Sequence, residues 1–201
     1  MLMNAVEYWA MNNPIRGTIQ KRLEAPRLQR LCQEQADTVL EIGCGQGLGA
    51  EIIRGLFGPS EYCGIDLDPK MIQRAGKKQS GWAGARFLQA DAARLPFTDN
   101  HYDLVVDFGI IHHIHNWRDA LAEIHRVLKP HGEFFFEELP VETWERGIGR
   151  PLKKVLKHPY DEMFRQPQFV RELQRLGFDL EVREDTLIGL YHFWGRATKT
   201  H

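Results

Sequence analysis

The sequence predicts an α/β fold: an open, mostly parallel sheet with helices on both faces. Three observations predict it. Five short runs rich in Val, Ile, Leu, Phe and Tyr recur between residues 38 and 138. Helical apolar patterns separate most of them. Two further extended stretches close the chain with only a short connection between them. Alternating strands and helices build parallel sheets, whose buried strands read as near-continuous apolar runs.

The elements follow in order. Residues 1–36 hold helix-like pieces broken at Pro14 and Pro26 and form an N-terminal helical lid or brace, too short for a separate domain. Strands are expected at 38–43 (TVLEIG), 61–66 (EYCGID), 85–89 (ARFLQ), 102–107 (YDLVVD) and 133–138 (EFFFEE). Leu48, Ile52, Ile53 and Leu56 recur at helical spacing within 47–57, and that helix stops at Gly58-Pro59. Asp68 caps a helix that starts at Pro69. Ala120, Leu121, Ile124, Val127 and Leu128 share one face of a helix over 117–128, with Asn116 as its N-cap and Pro130 and Gly132 ending it. A short helix over 168–176 opens at Pro167 and closes at Gly177. Extended stretches at 178–186 and 190–198 flank Gly189 and should pair antiparallel.

Bulk properties exclude several classes. A formal charge of −1 supplies no global field toward nucleic acid, so no nucleic-acid partner is expected. No apolar run approaches a membrane span, and the N-terminus lacks the pattern of a signal peptide. Cys32, Cys44 and Cys63 are too few and too scattered for a disulfide framework or a zinc ribbon. A reduced, cytoplasmic chain with partly buried thiols is expected.

The strongest local signal is VLEIGCGQGLGA, residues 39–50, where a strand enters a glycine-rich turn and then a helix. Gly43, Gly45 and Gly47 permit positive φ and a close backbone approach to a ligand. The same string satisfies the dinucleotide fingerprint from Gly45 onward, so glycines alone leave a nicotinamide cofactor and other adenosine cofactors open. Glu41 separates them. A carboxylate two residues before the first glycine would repel a pyrophosphate on the following helix. It would suit a cationic ligand such as S-adenosylmethionine, which carries an ammonium and a sulfonium and no phosphate. The plain alternative is a Glu paired with a nearby Arg or Lys. Asp66 ends the second strand near the roughly 20-residue spacing at which an acid meets a ribose hydroxyl pair. Asp91, in ADAARLPF, could accept from an adenine amino group or simply form a turn.

Together these residues resemble the class I S-adenosylmethionine-dependent methyltransferases, and among them the ubiquinone/menaquinone biosynthesis type. The matching pieces are VLEIGCGQG, YCGIDLDPKMI, ARFLQADAARLPFTDNHYDLVVDFGIIHHI and ALAEIHRVLKPHGEFFFEE, across roughly residues 37–138. The resemblance implies a Rossmann-like, seven-stranded, mostly parallel sheet with an antiparallel last strand. It implies S-adenosyl-L-methionine contacts at Glu41, at Gly43, Cys44, Gly45 and Gly47, at Asp66 and Leu67, at Asp91 and Ala92, and at Asp107, Phe108 and Gly109. Many relatives carry Asp where this chain has Glu41.

Within VVDFGIIHHIHNW, residues 105–117, His112 and His113 are the candidate general bases for an acceptor that arrives protonated. Each could instead be a structural histidine. His112 and His115 could share a helical face with Asp107 nearby, yet no metal-binding motif is spelled out, and no metal is expected. The substrate side should lie in 1–36 and in an insertion, about 139–167, within the main domain 37–201. Arg146, Arg150, Lys153, Lys154 and Lys157 make the insertion locally basic, and Trp9, Trp144, Tyr160 and Phe164 could supply an apolar wall. The expected partner is a small methyl acceptor, quinone- or lipid-like, with the basic segments suited to peripheral membrane contact. The competing readings are a protein or nucleic-acid methyltransferase and a non-catalytic regulatory protein that binds the same cofactor. The oligomeric state and the acceptor atom are not legible in the sequence.

Overall fold

The computed structural model describes residues 14–32, 36–153, 160–187 and 189–201. Seven strands form one sheet: β1 (Thr38–Ile42), β2 (Glu61–Asp66), β3 (Ala85–Gln89), β4 (Tyr102–Asp107), β5 (Leu128–Glu138), β6 (Phe178–Leu187) and β7 (Leu190–Lys199). Their order is β3-β2-β1-β4-β5-β7-β6. β1 to β5 pair in parallel, and β7 runs antiparallel to both β5 and β6. The expected sheet, with its antiparallel last strand, is therefore the observed one.

The helices are α1 (Pro14–Ile19), α2 (Ala25–Leu31), α3 (Leu48–Phe57), α4 (Pro69–Lys78), α5 (Trp117–Val127), α6 (Val141–Glu145), α7 (Gly149–Leu152) and α8 (Gln166–Arg175). Strand alternation divides the core. Leu40, Ile42, Cys63, Ile65, Val105, Phe134 and Phe136 face one side and pack with residues of α5 and α8. Val39, Tyr62, Leu104, Val106 and Phe135 face the other and pack with residues of α2 and α3.

Three local expectations need correction. Pro26 does not break the N-terminal helix. A π-turn at Gln20–Glu24 joins α1 to α2, with the Ala25 N–H reaching back to the Gln20 carbonyl; the wider turn accommodates a proline, which has no N–H for the α-helical ladder. Pro130 and Gly132 do not terminate α5. That helix ends at Val127, and β5 starts at once with Leu128 opposite Tyr102. The register then shifts before Leu104 meets Glu133, and an irregularity of this kind tolerates proline. Asn116 makes no side-chain cap to the backbone of α5; its amide donates to Asp119 Oδ2 at 3.2 Å. Asp68 does cap α4, accepting from the Lys70 N–H at 2.8 Å.

Candidate active site

The register gathers the acids at one sheet edge. Glu41 lies opposite Gly64, and Ile42 lies between Ile65 and Asp107. The carboxyl ends of β1, β2 and β4 thus bring Glu41, Asp66 and Asp107 around the glycine loop.

In that loop Gly43, Gly45 and Gly47 take φ of 67°, 51° and 81°. A Cβ on Gly43 would strike Ile110 at 2.6 Å, whereas one on Gly45 would enter open space. Gly45 therefore offers bare backbone to the cleft. Gly47 is turned to packing: a Cβ there would press on Ala75 of α4 at 3.3 Å, and its carbonyl accepts from Gln79. Cys44 is buried, its side chain packed against Gly64 of β2.

Glu41 is 2 % exposed and accepts a hydrogen bond from the Tyr62 hydroxyl. Gly64 makes this possible, because any Cβ there would fall 2.8 Å from that hydroxyl. Gly49, in the first turn of α3, is equally required, since a Cβ would collide with the Glu41 carboxylate and the Phe108 ring. Burial, together with the nearby charges of Asp66 and Asp107, raises the Glu41 pKa to about 8. Among the described residues no Arg or Lys forms an ion pair with it, so the plain alternative of a structural salt bridge finds no support there.

Asp66 is half-buried. Its Oδ2 accepts the Gly45 N–H at 3.0 Å and its Oδ1 the Asp68 N–H at 2.9 Å. Burial raises its pKa. It therefore tethers the glycine loop to the end of β2. Leu67 beside it is 45 % exposed, an apolar side chain held out at the cleft edge. Asp91 is exposed and forms a turn, its Oδ1 accepting the Ala93 N–H at 3.0 Å, while Ala92 packs into the core.

Asp107 is fully buried. Its Oδ1 accepts the Ile110 N–H at 2.9 Å, and its carboxyl lies against that of Glu138. Burial and the neighbouring Glu138 charge raise its pKa well above the usual carboxylate range. Phe108 turns away into the second core cluster, and Gly109 takes φ of 81° where the chain leaves β4. His112 and His113 then occupy one 3-10 turn, Ile111–His113, both buried, with ring centroids 4.2 Å apart. His112 Nδ1 lies 2.5 Å from Glu138 Oε2 at the end of β5. His115 is half-exposed and pairs with Glu162. Among the described residues no group of three His, Cys, Asp or Glu side chains could hold a metal ion.

Three participants escape sequence reading: Tyr62, Gly49 and Glu138. Each acts across strands or between a helix and a strand. Glu138 alone left a trace, as a charged residue ending the apolar run EFFFEE.

On the substrate side, Val141, Trp144 and Met163 form a small apolar cluster, with Leu139, Leu152 and Tyr160 against it. Phe164 packs into the main core instead. Arg146, Arg150 and Lys153 are exposed. Trp9, Lys154 and Lys157 lie outside the described residues.

The buried acids, the glycine loop open at Gly45 and, among the described residues, the absence of a base paired with Glu41 fit a cationic adenosine cofactor. Comparison with known proteins agrees. Residues 40–136 match a family described as "Methyltransferase domain". Over these residues the chain is similar to a methyltransferase domain. The fatty-acid O-methyltransferase of Mycolicibacterium smegmatis is 35% identical over 122 residues, which cover 58% of this chain and 44% of that one. The phthiotriol/phenolphthiotriol dimycocerosates methyltransferase of Mycobacterium tuberculosis is 34% identical over 122 residues, covering 58% and 45%. The chain therefore spans less than half the length of these relatives. The chain also shares its fold with the N-methyltransferase NodS of Bradyrhizobium japonicum, solved with S-adenosyl-L-homocysteine; the TM-score is 0.74 at 17% identity, covering 96% of this chain and 92% of that one.

Proposed function

We propose that this protein transfers a methyl group from S-adenosylmethionine to a small, lipid-like acceptor. The observation that carries the reading is the cluster of Glu41, Asp66 and Asp107 around the glycine loop, with Glu41 buried and, among the described residues, no Arg or Lys paired to it. Without a cation, burial and the neighbouring acids hold the Glu41 carboxyl largely protonated near neutral pH; a ligand bearing an ammonium and a sulfonium would favour its ionised form, whereas a pyrophosphate would add negative charge beside the acids.

The bound cofactor supplies an electrophilic methyl group. This chain's residues do the rest. Gly43, Gly45 and the Cys44 backbone line its methionine side, with Glu41 and Asp107 as the acids beneath. Asp66 receives the ribose hydroxyls, Leu67 and Ala92 flank the adenine, and Asp91 accepts from its amino group. Gly109 lets the chain turn past the reacting centre, and the Phe108 ring packs beneath. Holding the acceptor in line supplies most of the rate, since orientation can lower a barrier by about 7–11 kcal/mol. His112 and His113 border the acceptor. Helices α1 and α2 brace the cleft from the N-terminal side.

The names of the two relatives support a lipid-like acceptor. So does the apolar cluster of Val141, Trp144 and Met163, three residues beyond the end of β5 and onward. The exposed Arg146, Arg150 and Lys153 form a basic rim that we take as a peripheral membrane contact. Replacing all three by Gln should lower co-sedimentation with anionic liposomes; negligible binding by both proteins ends that part of the reading. The reaction itself is tested by incubating the protein with methyl-labelled S-adenosylmethionine and a panel of long-chain acids, alcohols, phenols and amines. Labelled product is expected from at least one of them. Tight cofactor binding with no product from any would favour a regulatory role.

A further inference from the structure

We propose that His192 and Arg27 form a pH-sensitive latch: the neutral ring holds helix α2 on the sheet, and protonation of the ring lets the N-terminal helices open away from the helix that follows the glycine loop.

The geometry assigns the hydrogens. Arg27 Nη1 donates to Glu137 Oε1 at 2.6 Å, and its other N–H meets His192 Nε2 at 2.6 Å. Nη2 donates to Asp185 Oδ2 at 2.9 Å. A guanidinium has donors and no acceptor, so His192 Nε2 must be the lone-pair nitrogen and the ring proton must sit on Nδ1. The ring also hydrogen-bonds the backbone of Leu190. His192 is 3 % exposed and Arg27 8 %, so the contact is largely closed to water. The charged groups facing the ring are Arg27 from α2, Glu137 from β5 and Asp185, its register partner, from β6.

A proton on Nε2 turns an acceptor into a donor. Two positive groups then face each other at hydrogen-bond distance with nothing between them to accept. The carboxylate oxygen facing the imidazolium is Glu137 Oε1, 3.5 Å away, and it already accepts from Arg27. Satisfying the ring there takes that oxygen from the guanidinium. Either way α2 loses a hold on the sheet. Burial first, and then the Arg27 charge, lower the His192 pKa from an ordinary 6.5, against the opposing pull of Asp185. The stability this neutral ring contributes is therefore whole above about pH 6.5 and is lost as pH falls from there to the lower folded value.

What the latch holds bears on the glycine loop. The turn at Gln20–Glu24 joins α1 to α2. A Cβ on Gly17 of α1 would meet the Leu48 side chain at 3.6 Å, and Lys21 pairs with Glu51 at 2.8 Å. Leu48 and Glu51 belong to the first turn of α3, directly after Gly47. Leu28 and Leu31 supply the apolar part of the α2 contact and keep the helix docked on average; the latch sets how often it opens. In the proposed methyltransferase site, acid therefore loosens the loop that holds the cofactor. That last step rests on the methyltransferase reading; the latch itself does not.

The test is amide hydrogen exchange on the cofactor-free protein, expressed as protection factors, from about pH 8 to about pH 5, which stays above the ordinary carboxylate range. Wild type should lose protection at 17–31 and 48–52 by at least about tenfold across that range, as the loss of one hydrogen bond to a charged group implies. The central strands β1 and β4 should lose less. His192→Gln, whose side-chain oxygen can accept from Arg27 and cannot titrate, should keep its protection in the same segments. Independently, ¹⁵N-histidine NMR at about pH 8 should find His192 in the Nδ1–H tautomer. Constant wild-type protection, an equal loss in β1 and β4, the same acid loss in His192→Gln, or an Nε2–H tautomer each overturns the proposal. Should His192→Gln fail to fold, the wild-type profile and the tautomer decide it.

Discussion

Glu41 shows how one residue's chemistry depends on two glycines. Without Gly64 the Tyr62 hydroxyl could not reach it, and without Gly49 helix α3 could not close over it. The result is a carboxyl whose pKa rises from an ordinary 4.5 to about 8. The folded chain then holds a proton that the unfolded chain releases above about pH 4.5. This contribution favours folding in acid and is lost as pH climbs through 8. Glu41→Gln cannot ionise, so its melting temperature should gain on wild type between pH 5 and pH 8.5, by about 2–4 °C for each kcal/mol relieved. Equal pH dependence in the two proteins would place the titration elsewhere. In the proposed site the same substitution removes an acid beside the cofactor, so its affinity for S-adenosylmethionine should fall. The glycine loop and Asp66 were legible in the sequence because both are local, set by spacing along a strand–turn–helix. Tyr62 and Glu138 were not, because their partners are fixed by strand register, which no single strand reveals.

At the scale of elements, prolines were the least legible feature. Pro26 and Pro130 read as breaks, yet a π-turn absorbs the first and a sheet irregularity the second. In each case neighbouring structure re-routes the backbone bonds that proline denies. Apolar periodicity, by contrast, marked α3 and α5 closely, because burial of one face is what makes those segments helical. Two element junctions can be tested. Gly49→Ala should destabilise the protein by about 1–3 kcal/mol, since its methyl meets the Glu41 carboxylate and the Phe108 ring in a packed core. Lys199, 5 % exposed, ends β7 by donating to Asn100 Oδ1 and to the His125 and Leu128 carbonyls at 2.8–2.9 Å. It thereby satisfies carbonyls that the end of α5 leaves over. Lys199→Met should cost about 1–3 kcal/mol in urea unfolding. An unchanged midpoint in either variant would deny the contact its structural weight.

Across the whole molecule, the most distant parts of the chain meet at Arg27. Its guanidinium on α2 donates to Glu137 at 2.6 Å and to Asp185 at 2.9 Å, and Nη1 lies 2.6 Å from His192 Nε2. It also stacks over the Trp194 ring at 5.0 Å. The N-terminal helices are thus tied to β5, β6 and β7. Arg27→Met should cost about 3–5 kcal/mol, because the buried Glu137 loses a counter-charge, and adding Glu137→Gln should return part of it. The seven-stranded sheet and its antiparallel last strand were legible from element alternation and the family resemblance together; this buried network was not, because Glu137 and His192 lie 110 and 165 residues from Arg27. The central claim is that the acid-lined cradle at the end of β1 and β2 binds S-adenosylmethionine, and calorimetry tests it most directly. One site per chain is expected, with no heat from NADH. Asp66→Ala should weaken it at least about tenfold, since hydrogen bonds to a charged acceptor are worth about 1.5–3 kcal/mol. No binding of S-adenosylmethionine by the wild-type protein, or an affinity indifferent to Asp66, would contradict the account.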